Sequence, residues 1–165
     1  MNEDYYIGID VGGSKILALV ANGNVVILSS ATRKTPSQDK AESLIEAMAM
    51  TAREAASLAD IEMVGISAVG VAAAGAVVPD NGTIVFSPHL PSMDTTPVGA
   101  MLSSELQRKT FMGNDANLAA LGEQHFGAAQ DVSNFIFITI STGIGGGIVL
   151  DGTLCTGNSG FAGEI

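Results

Sequence analysis

The chain has 165 residues, of which 47% are hydrophobic and 15% are charged, a composition that builds a packed core and excludes a disordered protein. Seven Lys and Arg against seventeen Asp and Glu give a net charge of −10, which argues against nucleic acid as a partner. With so few basic side chains, any phosphate ligand must be held mainly by backbone amides and a metal ion.

The first third of the chain predicts three strands followed by a helix. Apolar, β-branched segments predict strands at residues 5–11, 16–20 and 25–34, joined by a GGSK turn and an Asn-Gly turn. Residues 39–59 carry apolar positions at three- and four-residue steps, which predicts an amphipathic helix. The residues on its apolar face are Leu44, Ile45, Met48, Ala52, Ala55 and Ala59.

The middle of the chain predicts a buried strand, a long loop and two further helices. The stretch MVGISAVGVAAAGAV, residues 63–77, predicts a strand that runs into a glycine turn. Residues 79–97 hold four of the five prolines, which predicts a loop with a short strand, TIVF, inside it. Thr96 as the cap and Pro97 in the first turn predict a helix over 97–108. A short strand, TFMG, then precedes a helix over 116–126 that ends at Gly127.

The opening pattern of strand, glycine turn and strand returns near the end of the chain. Residues 134–154, NFIFITISTGIGGGIVLDGTL, repeat the order of elements in residues 5–25, YYIGIDVGGSKILALVANGNV. A duplication and the chance recurrence of a common hairpin both remain open. We expect residues 1–128 to form an N-terminal α/β domain and residues 129–165 to begin a second, truncated domain.

No targeting or membrane segment is evident in the sequence. The N-terminus is acidic, and no run of about eighteen apolar residues occurs. The single cysteine, Cys155, cannot form an internal disulfide, which is typical of a reducing compartment. These features predict a soluble, cytoplasmic protein with no membrane partner.

Two glycine-rich turns are candidates for phosphate binding. In the first, IDVGGSK, Gly12 and Gly13 would point backbone amides at an anion, with Ser14 or Lys15 reaching a phosphate. Asp10 would orient a water on a bound Mg²⁺. The second, STGIGGG at residues 141–147, has four glycines and is followed by a strand, which excludes a dinucleotide-binding fingerprint. Either turn could instead be an ordinary hairpin.

The Asn-Asp pair at residues 114 and 115 precedes an alanine-rich helix. Either Asn114 or Asp115 could cap that helix, and Asp115 could also be a catalytic carboxylate. Capping and catalysis are compatible, because a helix N-terminus stabilises an anion. His89 follows a proline in the loop and is either solvated or in contact with a ligand.

Six segments in a fixed order resemble the ROK family (repressor, open reading frame, kinase), whose members have the actin-like ATPase fold, a ribonuclease H-like α/β fold. The segments are GIDVGGSK, GVAAAGAV, SPHLP, GNDANLAALGE, TISTGIGGGIVLDGTL and AGEI. Each is weak alone, but together they span the chain. The resemblance implies an ATP-dependent kinase that uses Mg²⁺, acts on a hexose or N-acetylhexosamine, and forms a homodimer at full length. Glucose is the first expected sugar, and an N-acetylmannosamine kinase is an alternative.

The resemblance also implies roles for individual residues. Asp115 matches the general base and would serve as the helix cap as well. The family's sugar-binding positions correspond to Asn114, Gly75, Glu164 and His89. The phosphate-binding positions are Asp10, Gly12, Gly13, Ser14 and Lys15 in the first turn, with Thr142 and Gly143 in the second, and Asp10 is also the expected metal position.

Two departures from the family pattern bear on the sugar. Ala74 stands where a proline usually precedes the sugar-side glycine, and His89 replaces an asparagine, which puts the usual sugar selectivity in doubt. The resemblance also includes sugar-responsive repressors and leaves open a non-catalytic sugar-binding module. A family zinc motif and adenine pocket would lie beyond Ile165. We therefore expect the 165 residues alone to be inactive.

Overall fold

A five-stranded mixed sheet forms the larger part of the molecule. The computed structural model describes residues 4–36, 40–140 and 143–163. Its strands are β1 (Tyr5–Val11), β2 (Lys15–Asn22), β3 (Ile27–Lys34), β4 (Ile66–Ala73) and β7 (Thr110–Asn114). They lie in the order β3-β2-β1-β4-β7. Strands β1, β2 and β3 form an antiparallel meander, and β4 and β7 run parallel to β1.

One face of this sheet carries the core. Along β1 the buried residues Ile7, Ile9 and Val11 alternate with residues of the opposite face, as a half-buried strand requires. Helix α1 (Ala41–Leu58) lays its apolar side on this face, and α2 (Val98–Leu106) packs beside it. The opposite face, which carries Gly8 and Asp10 on β1, borders the cleft described below.

A second, smaller sheet follows helix α3 (Asp115–Phe126). Strands β8 (Phe135–Ile140), β9 (Ile144–Leu150) and β10 (Thr153–Leu154) form an antiparallel meander, so the order of elements in the first three strands recurs. Asp151 and Gly152 both have positive φ, at 50° and 75°, which is the turn that the Asp-Gly dipeptide predicts. Between β4 and α2, strands β5 (Ala76–Val78) and β6 (Thr83–Phe86) form a separate hairpin.

Several predicted boundaries differ from the structure by one to a few residues, and three of the differences have a clear physical reason. Strand β3 begins at Ile27 rather than at residue 25, because Val25 lies in the turn with a φ of 61°. Thr96 is not a helix cap: Pro97 takes the cap position, and the Thr96 side chain donates to the carbonyl of Asp94. Helix α2 ends at Leu106, because Gln107 adopts the left-handed conformation that closes it.

The mixed α/β architecture confirms the predicted fold class. None of the helices in the described part of the chain combines the length and the apolar character that a membrane crossing needs. Because β1, β4 and β7 run parallel, their carboxyl ends meet at one edge of the sheet. The residues that follow these ends form the candidate site.

Candidate active site

The junction of β7 and α3 separates the two roles that the sequence left to Asp115. Asn114 is the helix cap, since its Oδ1 accepts a hydrogen bond of 3.0 Å from the backbone N–H of Asn117. The prediction that Asp115 is itself the cap is therefore wrong. Asp115 is the first residue of the helix, its Oδ1 accepts from the N–H of Ala116 at 2.9 Å, and the residue is exposed. The dipole of α3 favours the charged form of a carboxylate at this position.

Asn114 also connects this junction to the glycine turn after β4. Its Nδ2 donates to the carbonyl of Gly75 at 3.1 Å, and the side chain is buried. Gly75 has a φ of +106°, and a Cβ there would overlap the carbonyl oxygen of Phe86 and lie 2.8 Å from Cα of Ser87. Only glycine fits both the conformation and the space. The predicted sugar-side glycine and asparagine are thus in direct contact.

The turn from Ser87 to Leu90 lies against the same region and includes a residue that the sequence did not single out. Asp94 accepts a hydrogen bond of 2.8 Å from the N–H of Ser87, which fixes the start of the turn. His89 is exposed on this turn. Ser87 is completely buried, and its hydroxyl has no hydrogen-bond partner among the residues that the structure describes. No sequence pattern marks Asp94, because its partner lies seven residues earlier.

Asp10 lies at the carboxyl end of β1, beside β4 in the sheet, where it is the register partner of Ala72. The pKa of its carboxyl is raised above the ordinary value of 3.8, mainly because surrounding atoms desolvate it and also because the negative charge of Asp115 faces it. The nearby Lys15 acts in the opposite direction. The residue keeps an exposed surface, so the desolvation is partial. Two carboxylates predicted from separate motifs therefore interact in space.

The first glycine turn is held on both sides. The N–H of Gly12 donates to the carbonyl of Lys15 at 3.0 Å, closing the turn on itself. Thr35, at the end of β3, donates its hydroxyl to the carbonyl of Gly12 at 2.7 Å and its N–H to the carbonyl of Ser14 at 3.0 Å. A Cβ on Gly13 would lie 3.0 Å from the carbonyl oxygen of His89, so the turn also packs closely on the Ser87–Leu90 turn. Thr35 is a positioning residue that the sequence did not reveal.

The second glycine turn divides into two parts with different surroundings. Gly145 and Gly147 lie within β9, where a Cβ on Gly147 would be 2.7 Å from Cβ of Ala120 and 2.9 Å from the carbonyl of Ala116. These glycines allow β9 to pack closely on α3, so phosphate binding is not needed to explain them. Gly143 lies at the turn, and a Cβ there would meet nothing within 4 Å. Thr142 and Glu164, also predicted site residues, lie outside the described residues.

A cleft of about 700 Å³ lies between the two sheets and helix α3. Asp10 and Asp115 both line it, together with Thr139 of β8, and most of its remaining lining is apolar, from Leu17, Leu19, Leu118, Phe126 and Phe137. No cluster of three or more His, Cys, Asp or Glu suited to a metal ion occurs among the described residues. Two adjacent carboxylates do fit Mg²⁺, which binds proteins through one or two carboxylates and takes its other ligands from water and phosphate.

Comparison with known proteins finds that the chain is similar to sugar kinases and to repressors of one family. A family model described as ROK family matches residues 6–165. The glucokinase of Thermotoga maritima is 33% identical over 159 residues, covering 96% of this chain and 49% of that protein. A putative xylose repressor of a Caldicellulosiruptor species is 32% identical over 164 residues, covering 99% of this chain and 41% of that protein.

The fold is found in a solved structure of a relative. A ROK family glucokinase from Streptomyces griseus, solved in complex with glucose and AMPPNP, superimposes with a TM-score of 0.87 at 34% identity, covering 97% of this chain and 49% of that one. The chain spans about half the length of the curated relatives it matches. Its fold is the actin-like ATPase fold, and the chain belongs to the ROK family.

Proposed function

We propose that this chain forms the acceptor side and the first phosphate loop of an ATP-dependent hexose kinase. The observation that carries the proposal is the division of roles at residues 114 and 115. Asn114 caps α3 and binds the Gly75 turn, so Asp115 is not needed as the cap and lies exposed beside Asp10 in the cleft. A plain helix start requires only one of these two polar residues.

In this mechanism Asp115 is the general base. An ionised carboxylate at a helix N-terminus accepts the proton of a sugar hydroxyl as that oxygen attacks a phosphoryl group. Asn114 and the Gly75 turn are joined by a hydrogen bond, which gives the sugar a rigid wall next to the base. Positioning of this kind contributes much of the rate in phosphoryl transfer.

The donor side has residues that suit MgATP. Asp10 would lie beside Mg²⁺, which supplies positive charge for the phosphates. Gly13 and Ser14 would offer backbone amides, Lys15 a positive charge, and Gly143 an unobstructed turn for the second loop. The N–H of Gly12, which the sequence also predicted to face the anion, instead donates to the carbonyl of Lys15 and shapes the turn. The net charge of −10 makes such a neutralising cation necessary for an anionic donor.

Glucose is the first sugar that we propose, because similarity to the Thermotoga maritima and Streptomyces griseus glucokinases supports it. His89 stands at the turn beside Gly13, where its imidazole offers different hydrogen bonds from the asparagine of the family pattern. We also propose that residues 1–128 form one wall of the cleft, that residues 129–165 begin the other, and that the whole protein is a cytoplasmic homodimer. A coupled assay over a panel of hexoses and N-acetylhexosamines tests the substrate.

The general base is tested by Asp115→Asn in the whole protein, with Asp131→Asn as the control because Asp131 is an exposed loop residue. Loss of a general base lowers turnover by about 10²- to 10⁴-fold, while glucose binding measured by calorimetry should persist. The control removes the same charge and should keep normal turnover. Near-normal turnover of Asp115→Asn would disprove the mechanism.

A second candidate is a sugar-responsive repressor or a non-catalytic sugar-binding module, which similarity to the Caldicellulosiruptor repressor supports. The same cleft would then bind sugar without transferring phosphate. The two candidates differ in one measurement, since a binding module shows sugar affinity with no ATP-dependent product at any enzyme concentration.

A further inference from the structure

The turn that carries His89 is anchored at both ends by buried residues. Ser87 and Leu90 are completely buried, whereas Pro88 and His89 between them are exposed. The N–H of Leu90 donates to the carbonyl of Ser87 at 3.3 Å, which closes the turn. The position of Ser87 therefore determines where the exposed tip of the turn lies.

This turn lies between two other turns of the candidate site and contacts both. On one side, a Cβ on Gly75 would lie 2.8 Å from Cα of Ser87. On the other side, a Cβ on Gly13 would lie 3.0 Å from the carbonyl oxygen of His89. Each glycine allows an approach that a side chain would block, so a small shift of the turn changes both contacts.

The carboxylate of Asp94 holds Ser87 from outside the turn. Its Oδ1 accepts a partly buried hydrogen bond of 2.8 Å from the N–H of Ser87, and a charged acceptor makes a stronger bond than a neutral one. Asp94 is itself fixed, because the hydroxyl of Thr95 donates to its carbonyl at 2.7 Å. Thr95 has a φ of 59°, which a β-branched residue rarely adopts. Such a conformation persists only where the surrounding structure determines it.

The contacts continue from the turn to the junction that carries Asp115. The carbonyl of Gly75 accepts a hydrogen bond of 3.1 Å from the side chain of Asn114, which caps α3 and precedes Asp115. Asp94 is therefore connected to the sugar-side wall through Ser87 and Gly75.

We propose that Asp94 is a positioning residue for the sugar. By fixing the turn at Ser87, it sets the geometry that His89 and the Gly75 turn offer to the sugar hydroxyls. The inference rests on the proposed sugar site and adds to it a residue that acts through others. This wall meets the sugar both before and during phosphoryl transfer, so its distortion weakens sugar binding and leaves the chemical step nearly unchanged.

The test measures glucose binding by calorimetry and steady-state kinetics with glucose, in the whole protein. Asp94→Ala removes the acceptor and should weaken glucose binding and raise the KM for glucose about tenfold, with kcat changed less than about twofold. Asp94→Asn keeps an oxygen in the same place and should weaken binding less than about threefold. Asp94→Glu keeps the charge but moves the oxygens by one methylene, so its glucose affinity should resemble that of Asp94→Ala.

Asp80→Ala is the matched control, because it removes the same charge from the exposed turn between β5 and β6. Its glucose affinity should stay within about twofold of the wild type. A residue needed only for folding would give another pattern: the active fraction and kcat would fall, while the KM of the remaining folded protein would not change. If Asp94→Ala does not fold, the comparison of Asp94→Glu with Asp94→Asn makes the same test.

The proposal is overturned if Asp94→Ala and Asp94→Glu bind glucose as Asp80→Ala does, if Asp94→Asn loses as much affinity as they do, or if the wild-type protein binds no glucose. Glucose binding without phosphorylation would remove the proposed kinase and leave the role of Asp94 standing. A kinase that keeps its glucose affinity in Asp94→Ala would remove only the role of Asp94.

Discussion

The hydroxyl of Thr35 offers a direct test of how the first glycine turn is held. Thr35→Val keeps the shape of the side chain but removes the 2.7 Å hydrogen bond to the carbonyl of Gly12. The bond is partly buried, so its loss leaves an acceptor that water reaches incompletely, a change that costs about 1 to 3 kcal/mol. For a protein of this size each kcal/mol lowers the melting temperature by about 2 to 4 °C. We expect the melting temperature to fall by about 2 to 6 °C, which corresponds to a loss near the lower end of the energy range.

Thermal unfolding followed by circular dichroism measures this shift, with Thr32→Val as the control. Thr32 lies on β3, three residues before Thr35, but is exposed, and its substitution should change the melting temperature by less than about 1 °C. Thr35→Val should also raise the KM for ATP in the whole protein, because the turn that offers its amides is no longer fixed. Equal melting temperatures for the two variants would refute the view that Thr35 holds the turn.

Two further predictions concern the phosphate loops and Asp10. Replacing Gly12 or Gly143 by Val should raise the KM for ATP in the whole protein much more than Lys15→Ala does, because the loops bind through their backbone. Steady-state kinetics with the opposite order would contradict this. The folded-state pKa of Asp10 is raised, so its charged form lowers stability as the pH rises above the ordinary value of 3.8. Asp10→Asn should therefore raise the melting temperature at neutral pH, by the equivalent of less than about 1 kcal/mol because the carboxyl is exposed. This increase should disappear below pH 3.8, where the carboxyl of Asp10 is protonated; an increase that does not depend on pH would show that the charge of Asp10 is not its cause.

The sequence predicts most of the fold because its strands and helices follow simple patterns. Alternating apolar residues on β1 and the three- and four-residue steps of α1 both report burial on one face, and both elements appear where expected. The boundaries that were wrong depend on backbone conformation instead. Val25 and Gln107 have positive φ, which residues of their type rarely adopt, so no composition rule places a turn or a helix end there.

The candidate site was predictable only where a motif is contiguous. Asp10, Gly12, Asn114 and Asp115 stand out in short segments. Thr35 and Asp94 act on the site through single hydrogen bonds from distant or irregular segments, which leave no periodic signal. The glycines of β9 show a limit of composition, since close packing of Gly147 on Ala120 enriches glycine just as a phosphate loop does.

The exposed face of β8 makes a final prediction about the isolated chain. Ile136, Ile138 and Ile140 are 65%, 56% and 79% exposed, and in the described residues β8 is the edge strand of its sheet. An apolar face beside an open edge promotes association. The purified 165-residue chain should therefore self-associate in light scattering. Ile138→Thr should reduce the association, whereas Val85→Thr, a similar change at an exposed position of β6, should not.

The same chain should show no ATP-dependent sugar phosphorylation. Holding two substrates in line is worth about 7 to 11 kcal/mol in favourable cases. In the cleft between the two sheets, the smaller sheet contributes only Phe137 and Thr139 of β8 among the described residues. Adding a separate chain that matches the second half of the relatives should cover the exposed isoleucines, reduce self-association and restore activity together. Because one surface would account for both effects, activity from a monomeric 165-residue chain would contradict both parts of this reasoning.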